Sequence, residues 1–246
     1  MRTVLSLNRK WAFTKMADAI PTAIDSKWDF VNIPHCWNAI DGQDGDNDYY
    51  RGTAYYAKSI SKADLPTADR YYLELRGTNS SADVYLNGKH LAHHDGGYST
   101  WRVNLTDALE VNNLLVVAVD NSANETVYPQ TADFTFYGGM YRDVNLICVP
   151  ESHFDLDFYG APGIAVTPVI NGADATVKVD TYVTDSKMGQ TVRYTVTDAA
   201  GAVVATAEGQ KAEVVIENVH RWHGRKDPYL YTATVELLEG GEVIDT

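Results

Sequence analysis

The densest group of potentially reactive side chains is the run Asp41-Gly-Gln-Asp44-Gly-Asp46-Asn47-Asp48, followed at once by Tyr49 and Tyr50. Closely spaced carboxylates suit either a hard cation or the hydroxyls of a sugar. An EF-hand loop counted from Asp44 would need Gly at its sixth position and Glu at its twelfth. Those positions hold Tyr49 and Tyr55, so the template fails. Three readings stay open: a solvated acidic loop, a metal site of another kind, and a polar loop aimed at a sugar. The adjacent tyrosines add weight to the last without displacing the first, because aromatic faces and carboxylates together match a pyranose ring. Asn124-Glu125 invites comparison with a glycosidase acid/base. Retaining hydrolysis needs two carboxyls about 5 Å apart on a rigid frame, whereas Glu125 sits in the turn sequence Asp120-Asn-Ser-Ala-Asn-Glu125 with no matching acid. No catalytic residue is assigned.

Histidines give no metal centre either. His93 and His94 are neighbours and point to opposite faces of a strand. His220 and His223 flank Trp222 without a second ligand pair at zinc spacing. The sequence has no G-x-S-x-G elbow, no P-loop and no Rossmann fingerprint, and no cofactor is assigned. The glycines of Asp95-Gly-Gly-Tyr98 and Tyr137-Gly-Gly139 are read as structural, permitting tight turns or close backbone approach.

The elements that must carry these residues are short strands. Ala54–Ile60, Tyr71–Arg76, Trp101–Leu105, Leu114–Val119 and Val144–Val149 are aromatic or β-branched runs of strand length. Val84–Leu86 and Lys89–Ala92 meet across Asn87-Gly88, a hairpin turn that needs positive φ at both positions. One short helical turn is expected near Thr106–Leu109. Pro150, Gly160, Pro162 and Gly163 break the pattern between residues 150 and 163. Beyond them Ala175–Val183, Thr191–Thr197, Ala202–Ala207 and Tyr229–Leu237 alternate apolar and polar, as in an immunoglobulin-like sandwich. Glu242–Thr246 reads as the start of another strand.

Composition is that of an ordinary globular protein: 246 residues, 45% apolar and 22% charged. A net charge of −13 argues against nucleic-acid and anionic-membrane partners. No apolar run approaches the roughly 20 residues of a membrane helix, and the N-terminus lacks a signal-peptide core. Cys36 and Cys148 are read as free thiols, which fits a reducing cytoplasm.

Taken in order, the segments resemble the amino-terminal half of family 2 glycoside hydrolases, the group of β-galactosidases, β-glucuronidases and β-mannosidases. The landmarks are Leu7–Phe13, Val31-Asn-Ile-Pro-His-Cys-Trp37, Tyr50–Tyr56, Ala82–Gly88 with His94–Tyr98, Tyr137-Gly-Gly-Met-Tyr-Arg-Asp-Val144, and Trp222 with Pro228-Tyr-Leu-Tyr231. The resemblance implies an all-β chain: a jelly-roll, galactose-binding-domain-like sandwich over 1–150, then an immunoglobulin-like sandwich over 151–246. It further implies a retaining exo-glycosidase parent, whose catalytic (β/α)8 barrel is the partner of this chain and whose substrate is a terminal β-glycoside. This chain alone lacks the catalytic carboxylates; a homo-oligomer stays open. Asp133, in the loop before Tyr137-Gly-Gly139, is the implied sugar contact, with Asn47 and Asp48 as second candidates. Arg142 and Asp143 are expected to pair with each other. The rival reading is a self-standing carbohydrate-binding module or lectin.

Overall fold

A computed structural model describes residues 1–15, 17, 19–41, 49–130 and 135–246. The chain forms two compact units, one spanning Thr3–Cys148 and the other Met1–Arg2 with Val149–Thr246.

The first unit is a jelly-roll sandwich. One sheet has the order Thr3–Ser6, Val144–Val149, Arg70–Leu75, Trp101–Asn104. The other runs Asp29–Val31, Trp11–Thr14, Thr53–Ser61, Asn112–Asp120, Ser81–Leu86, Lys89–Asp95. Alternation decides what each strand buries. Ala54, Tyr56 and Ile60 face the core shared with Trp11, Leu73, Leu115 and Leu146. Tyr55 and Ala57, pointing the other way, are also buried, with Ala12, Val116 and Ala118, and pack against Ile20, Ile24 and Trp28. Both faces of these central strands are therefore covered, which is why they read as continuous apolar runs rather than alternating ones. The Asn87-Gly88 turn has φ of 53° and 79°, as its sequence requires. Thr106–Ala108 forms a single 3-10 turn.

The second unit is the immunoglobulin-like sandwich. Ile164–Asn171, Asp174–Thr181 and Lys211–Ile216 make one sheet; Val203–Glu208, Gln190–Thr197, Thr232–Glu239 and Glu242–Asp245 make the other. Val177, Val179, Tyr194, Val196, Val214, Val235 and Leu237 fill the space between them. The strand expected over Ala175–Val183 is interrupted at Tyr182, and Val183–Thr184 pairs instead with His153–Phe154. The strand expected from Tyr229 begins at Thr232. The Asp245 carboxylate is fully buried and accepts hydrogen bonds from Arg2 Nε (3.0 Å), Arg2 Nη2 (2.8 Å) and the Phe154 amide (2.8 Å). The first two residues thus belong energetically to the second sandwich. No helix among the described residues is long and apolar enough to cross a membrane.

Candidate functional site

Asn47, Asp48 and Asp133 lie outside the described residues; the described residues that flank them form a single built platform. Asn121, at the end of strand Asn112–Asp120, is fully buried. Its Oδ1 accepts the Gly52 amide at 2.9 Å. Its Nδ2 donates to the Phe136 carbonyl (3.0 Å), the Tyr50 carbonyl (3.2 Å) and Asn38 Oδ1 (3.2 Å). Asn38, equally buried, accepts the Gly138 amide at 2.7 Å and donates to the Tyr50 carbonyl at 2.9 Å and to Asp41 Oδ2 at 2.6 Å. Asp41 Oδ2 in turn accepts the Tyr50 amide at 2.9 Å. Two asparagines thereby tie together Asp41 and Tyr50, which bracket residues 42–48, and Phe136 and Gly138, which follow residues 131–134. Arg51 adds a third link, donating to Gln130 Oε1 at 2.6 Å and to the Asn121 carbonyl at 3.0 Å while lying 5.9 Å from the centre of the Phe136 ring.

Beside this platform opens a cleft of about 420 Å³ lined by Asn79, Tyr98, Tyr128, Phe136, Tyr137 and Tyr141, with Cys36 and Thr135. Asn79 is its polar centre: Nδ2 donates to the Tyr137 carbonyl at 2.5 Å, and Oδ1 accepts the Tyr128 hydroxyl. The Tyr98 and Tyr128 rings lie 5.3 Å apart, and Tyr128 stacks on Phe136 at 6.0 Å. Burial pushes the Tyr128 and Tyr141 hydroxyls above their usual range, so both stay protonated donors at neutral pH. Burial likewise raises the Cys36 thiol, which argues against a thiolate nucleophile. The described lining carries no carboxylate. Aromatic faces and neutral hydrogen-bonding groups can hold a hydroxylated ring, whereas acid/base catalysis calls for a group that titrates near the working pH.

The glycines act through close approach. A Cβ on Gly138 would sit 2.0 Å from Trp37 Cζ2, one on Gly139 (φ 137°) would sit 2.3 Å from the His35 carbonyl oxygen, and one on Gly97 would meet Asn79 Oδ1 at 2.2 Å. Beneath them Phe13, His35, Trp37 and Tyr56 pack as an aromatic cluster, with His35 Nδ1 2.8 Å from the Tyr56 hydroxyl. Burial and then Lys15 lower the His35 pKa, keeping the ring neutral.

The remaining candidates resolve as follows. Glu125 is exposed, and Asn124 uses its amide on Ser81 (3.0 Å) and Asp95 (3.2 Å) and its carbonyl on the Thr126 amide (2.8 Å), which is turn chemistry. His93 bridges Asp83 (3.0 Å) and Asp95 (3.2 Å), while His94 stacks on Trp101 at 4.9 Å. His220 pairs with Asp227 at 2.6 Å and stacks on Tyr229 at 3.9 Å. The expected Arg142–Asp143 pair is corrected. Arg142 donates to the Tyr98 carbonyl at 2.8 Å and lies over the Tyr141 ring, while Asp143 accepts Asn8 Nδ2 at 2.8 Å. Both lie in the bend between strands Gly139–Met140 and Val144–Val149, and each side chain finds a different partner there. The sequence reading missed Asn38, Asn79 and Asn121. Each resembles an ordinary turn residue, and only the fold reveals its partners.

A jelly roll whose loop roots meet at a polar, aromatic cleft, joined to an immunoglobulin-like sandwich, defines a class: the all-β accessory domains of carbohydrate-active proteins. Comparison with known proteins supplies the family. The family model for the glycosyl hydrolase 2 galactose-binding domain-like region matches residues 45–154, and that for glycosyl hydrolases family 2 matches residues 162–246. The chain belongs to glycosyl hydrolase family 2 and matches its non-catalytic N-terminal domains; the catalytic barrel of the family lies outside it. A β-glucuronidase of Bacteroides fragilis is 30% identical over 231 residues, covering 88% of this chain and 33% of the relative. The crystal structure of an FMN-binding β-glucuronidase from Faecalibacterium prausnitzii L2-6 superposes with a TM-score of 0.89 at 37% identity, covering 100% of this chain and 38% of that one. A putative β-galactosidase from Bacteroides fragilis gives a TM-score of 0.86 at 31% identity, over 99% of this chain and 40% of that one. The chain thus spans about a third of the length of the curated relatives it matches.

Proposed function

We propose that this chain is the sugar-binding and spacer part of a retaining β-glycosidase that removes terminal β-linked glucuronic acid or galactose. In this reading residues 1–150 form the sugar-binding domain and residues 151–246 the spacer that braces the catalytic barrel. The barrel provides the carboxylate pair, and this chain provides substrate-loop contacts. Asp133 accepts a hydrogen bond from a sugar hydroxyl, with Asn47 and Asp48 as secondary contacts. The observation that supports the proposal is the buried Asn38–Asn121 pair, which ties Asp41 and Tyr50, on either side of the segment with Asn47 and Asp48, to Phe136 and Gly138, which follow the segment with Asp133. Two free thiols, Cys36 and Cys148, agree with a reducing cytoplasm.

In the full-length protein, Asp133→Ala is expected to lower kcat/KM for nitrophenyl β-glucuronide or β-galactoside by roughly 10- to 100-fold, the value of one hydrogen bond to a charged group. The melting temperature is expected to hold. Unchanged kinetics would reject the contact. The aromatic cleft around Asn79 favours a second reading, a self-standing sugar-binding module. Titration of Met1–Thr246 with glucuronate, galactose and mannose separates the two: saturation in the micromolar range supports the module, whereas a lone subsite gives only about millimolar affinity.

A further inference from the structure

Asp95 is the joint between the two segments that carry facing rings of the aromatic cleft. It ends strand Lys89–Asp95, and Gly96-Gly97-Tyr98 follows it directly. Its carboxylate also holds the turn that leads to Tyr128. Oδ2 accepts the Thr126 hydroxyl at 2.7 Å, and Oδ1 accepts Asn124 Nδ2 at 3.2 Å. The Tyr98 segment is fixed independently of this carboxylate: the Gly96 amide donates to the Ser80 carbonyl at 2.9 Å, and Arg142 donates to the Tyr98 carbonyl at 2.8 Å. The turn has fewer ties of its own. Asn124 also donates to the Ser81 hydroxyl at 3.0 Å, and the Tyr128 hydroxyl donates to Asn79. The Tyr128 wall therefore depends on Asp95 more than the Tyr98 wall does.

His93 governs how Asp95 is held. It stands two residues before Asp95 and opposite Asp83 of the neighbouring strand Ser81–Leu86. Its Nδ1 lies 3.0 Å from Asp83 Oδ1, and its Nε2 lies 3.2 Å from Asp95 Oδ1. Both ring nitrogens face carboxylate oxygens, and only the imidazolium has two N–H groups to give. A neutral ring turns a lone pair toward one of the acids, so Asp95 is tied through the ring to Asp83 only when the ring is charged. Loss of that charge also leaves two carboxylates on neighbouring strands to repel each other. The other titratable groups nearby are His90, His94 and Glu125. His90 Nε2 lies 2.7 Å from Asp83 Oδ1. His94 points to the other face, stacks on Trp101 and lies 2.9 Å from the Ser99 hydroxyl. Glu125, in the turn, is exposed. Burial works against the charge on His93, but the bonds and charges of Asp83 and Asp95 outweigh it and raise its pKa.

We infer that His93 is a proton-operated clasp on the aromatic cleft. Charged, it ties Asp95 to Asp83 and holds the turn bearing Thr126 and Tyr128 against the strand end bearing Tyr98. Neutral, it releases that turn. The clasp is closed below the ordinary histidine pKa and opens as pH rises through the raised value of the folded protein. What it controls is the spacing of the Tyr98 and Tyr128 rings, 5.3 Å apart with both His93 contacts made, whatever ring occupies the cleft.

Hydrogen exchange read by mass spectrometry on the full-length protein tests this, from about pH 5.5 to about pH 8 and corrected for the intrinsic pH dependence of exchange. Peptides covering residues 122–128 are expected to lose about two- to fivefold of their protection as pH rises, the scale of an exposed ion pair. His93→Gln, which cannot titrate, is expected to abolish the step, and so is Asp95→Asn. His90→Gln and His94→Gln are expected to keep it. A step that survives His93→Gln overturns the inference, as does one lost in His94→Gln, which would assign the titration to that ring. Protection that does not change with pH in the unsubstituted protein overturns it too. So does an equal loss in the central strand Asn112–Asp120, which would be global destabilisation rather than release of the turn.

Discussion

Replacing Asn121 by Ala removes the side chain that joins the two loop roots. Its four hydrogen bonds do not count equally. The Tyr50 carbonyl keeps Asn38 Nδ2 at 2.9 Å, and Asn38 Oδ1 keeps the Gly138 amide at 2.7 Å. The bonds to the Gly52 amide at 2.9 Å and to the Phe136 carbonyl at 3.0 Å are lost. Losing these two bonds, one part-buried and one buried, costs about 1–1.5 kcal/mol each, so the loss is about 2–3 kcal/mol and the melting temperature of the jelly-roll unit falls by roughly 8 °C. Asn121→Asp sharpens the test. A carboxylate can still accept from Gly52, but it faces three oxygens that it can no longer supply with N–H groups, so its pKa is expected to rise on folding. A raised pKa favours folding below the unfolded value and is lost as pH rises through the folded one. The deficit of Asn121→Asp relative to the unsubstituted protein should therefore shrink on acidification. Urea unfolding followed by tryptophan fluorescence measures both variants. An Asn121→Ala stability within about 1 kcal/mol of the unsubstituted protein would refute the claim that this residue clamps the platform.

Other perturbations follow from the same geometry. Gly138→Ala drives a methyl group into Trp37 and is expected to cost about 1–3 kcal/mol by urea unfolding; a neutral outcome would mean the approach is not rigid. Arg2→Ala leaves the buried Asp245 carboxylate without its cation and is expected to destabilise the immunoglobulin-like unit by about 3–5 kcal/mol, read as earlier exchange of its core amides. For His93, burial works to lower the pKa, but hydrogen bonds and charge from Asp83 and Asp95 outweigh it and raise the value. Its contribution is present below the ordinary histidine pKa and is lost as pH rises through the folded value. Solvent exposure keeps it under about 1 kcal/mol; a small fall in melting temperature between mildly acidic and mildly alkaline pH should vanish in His93→Gln.

Much of the architecture was readable because local chemistry and global fold agree. Asn87-Gly88 demands a tight hairpin, and Val144–Val149 is apolar at every position but Asn145 because both its faces are buried. Ile164–Asn171 was missed for the opposite reason. Its β-branched residues favour a strand, but it contains Pro168, lies largely exposed and follows the Pro and Gly breaks at 160–163, so no apolar/polar alternation marks it. Lys211–Ile216 is an edge strand beginning with three residues that are not buried, and its signal is similarly faint. At the site, the tyrosines and the glycine pairs were legible from their types. The asparagines were not, since Asn38 and Asn121 lie 83 positions apart and a side-chain amide satisfied over that distance leaves no local trace. Arg142 and Asp143 show the converse error: they were expected to pair, but in the bend before Val144–Val149 Arg142 bonds the Tyr98 carbonyl and Asp143 accepts from Asn8.

The central claim is that this chain recognises and supports while the barrel of the longer protein cleaves. Turnover of nitrophenyl β-glucuronide and β-galactoside, measured on Met1–Thr246 and on the full-length protein at equal molar concentration, tests it most directly. The expected result is hydrolysis by the full-length protein and none by Met1–Thr246. Hydrolysis by purified Met1–Thr246 that survives repeated purification, or an inert full-length protein, would contradict it.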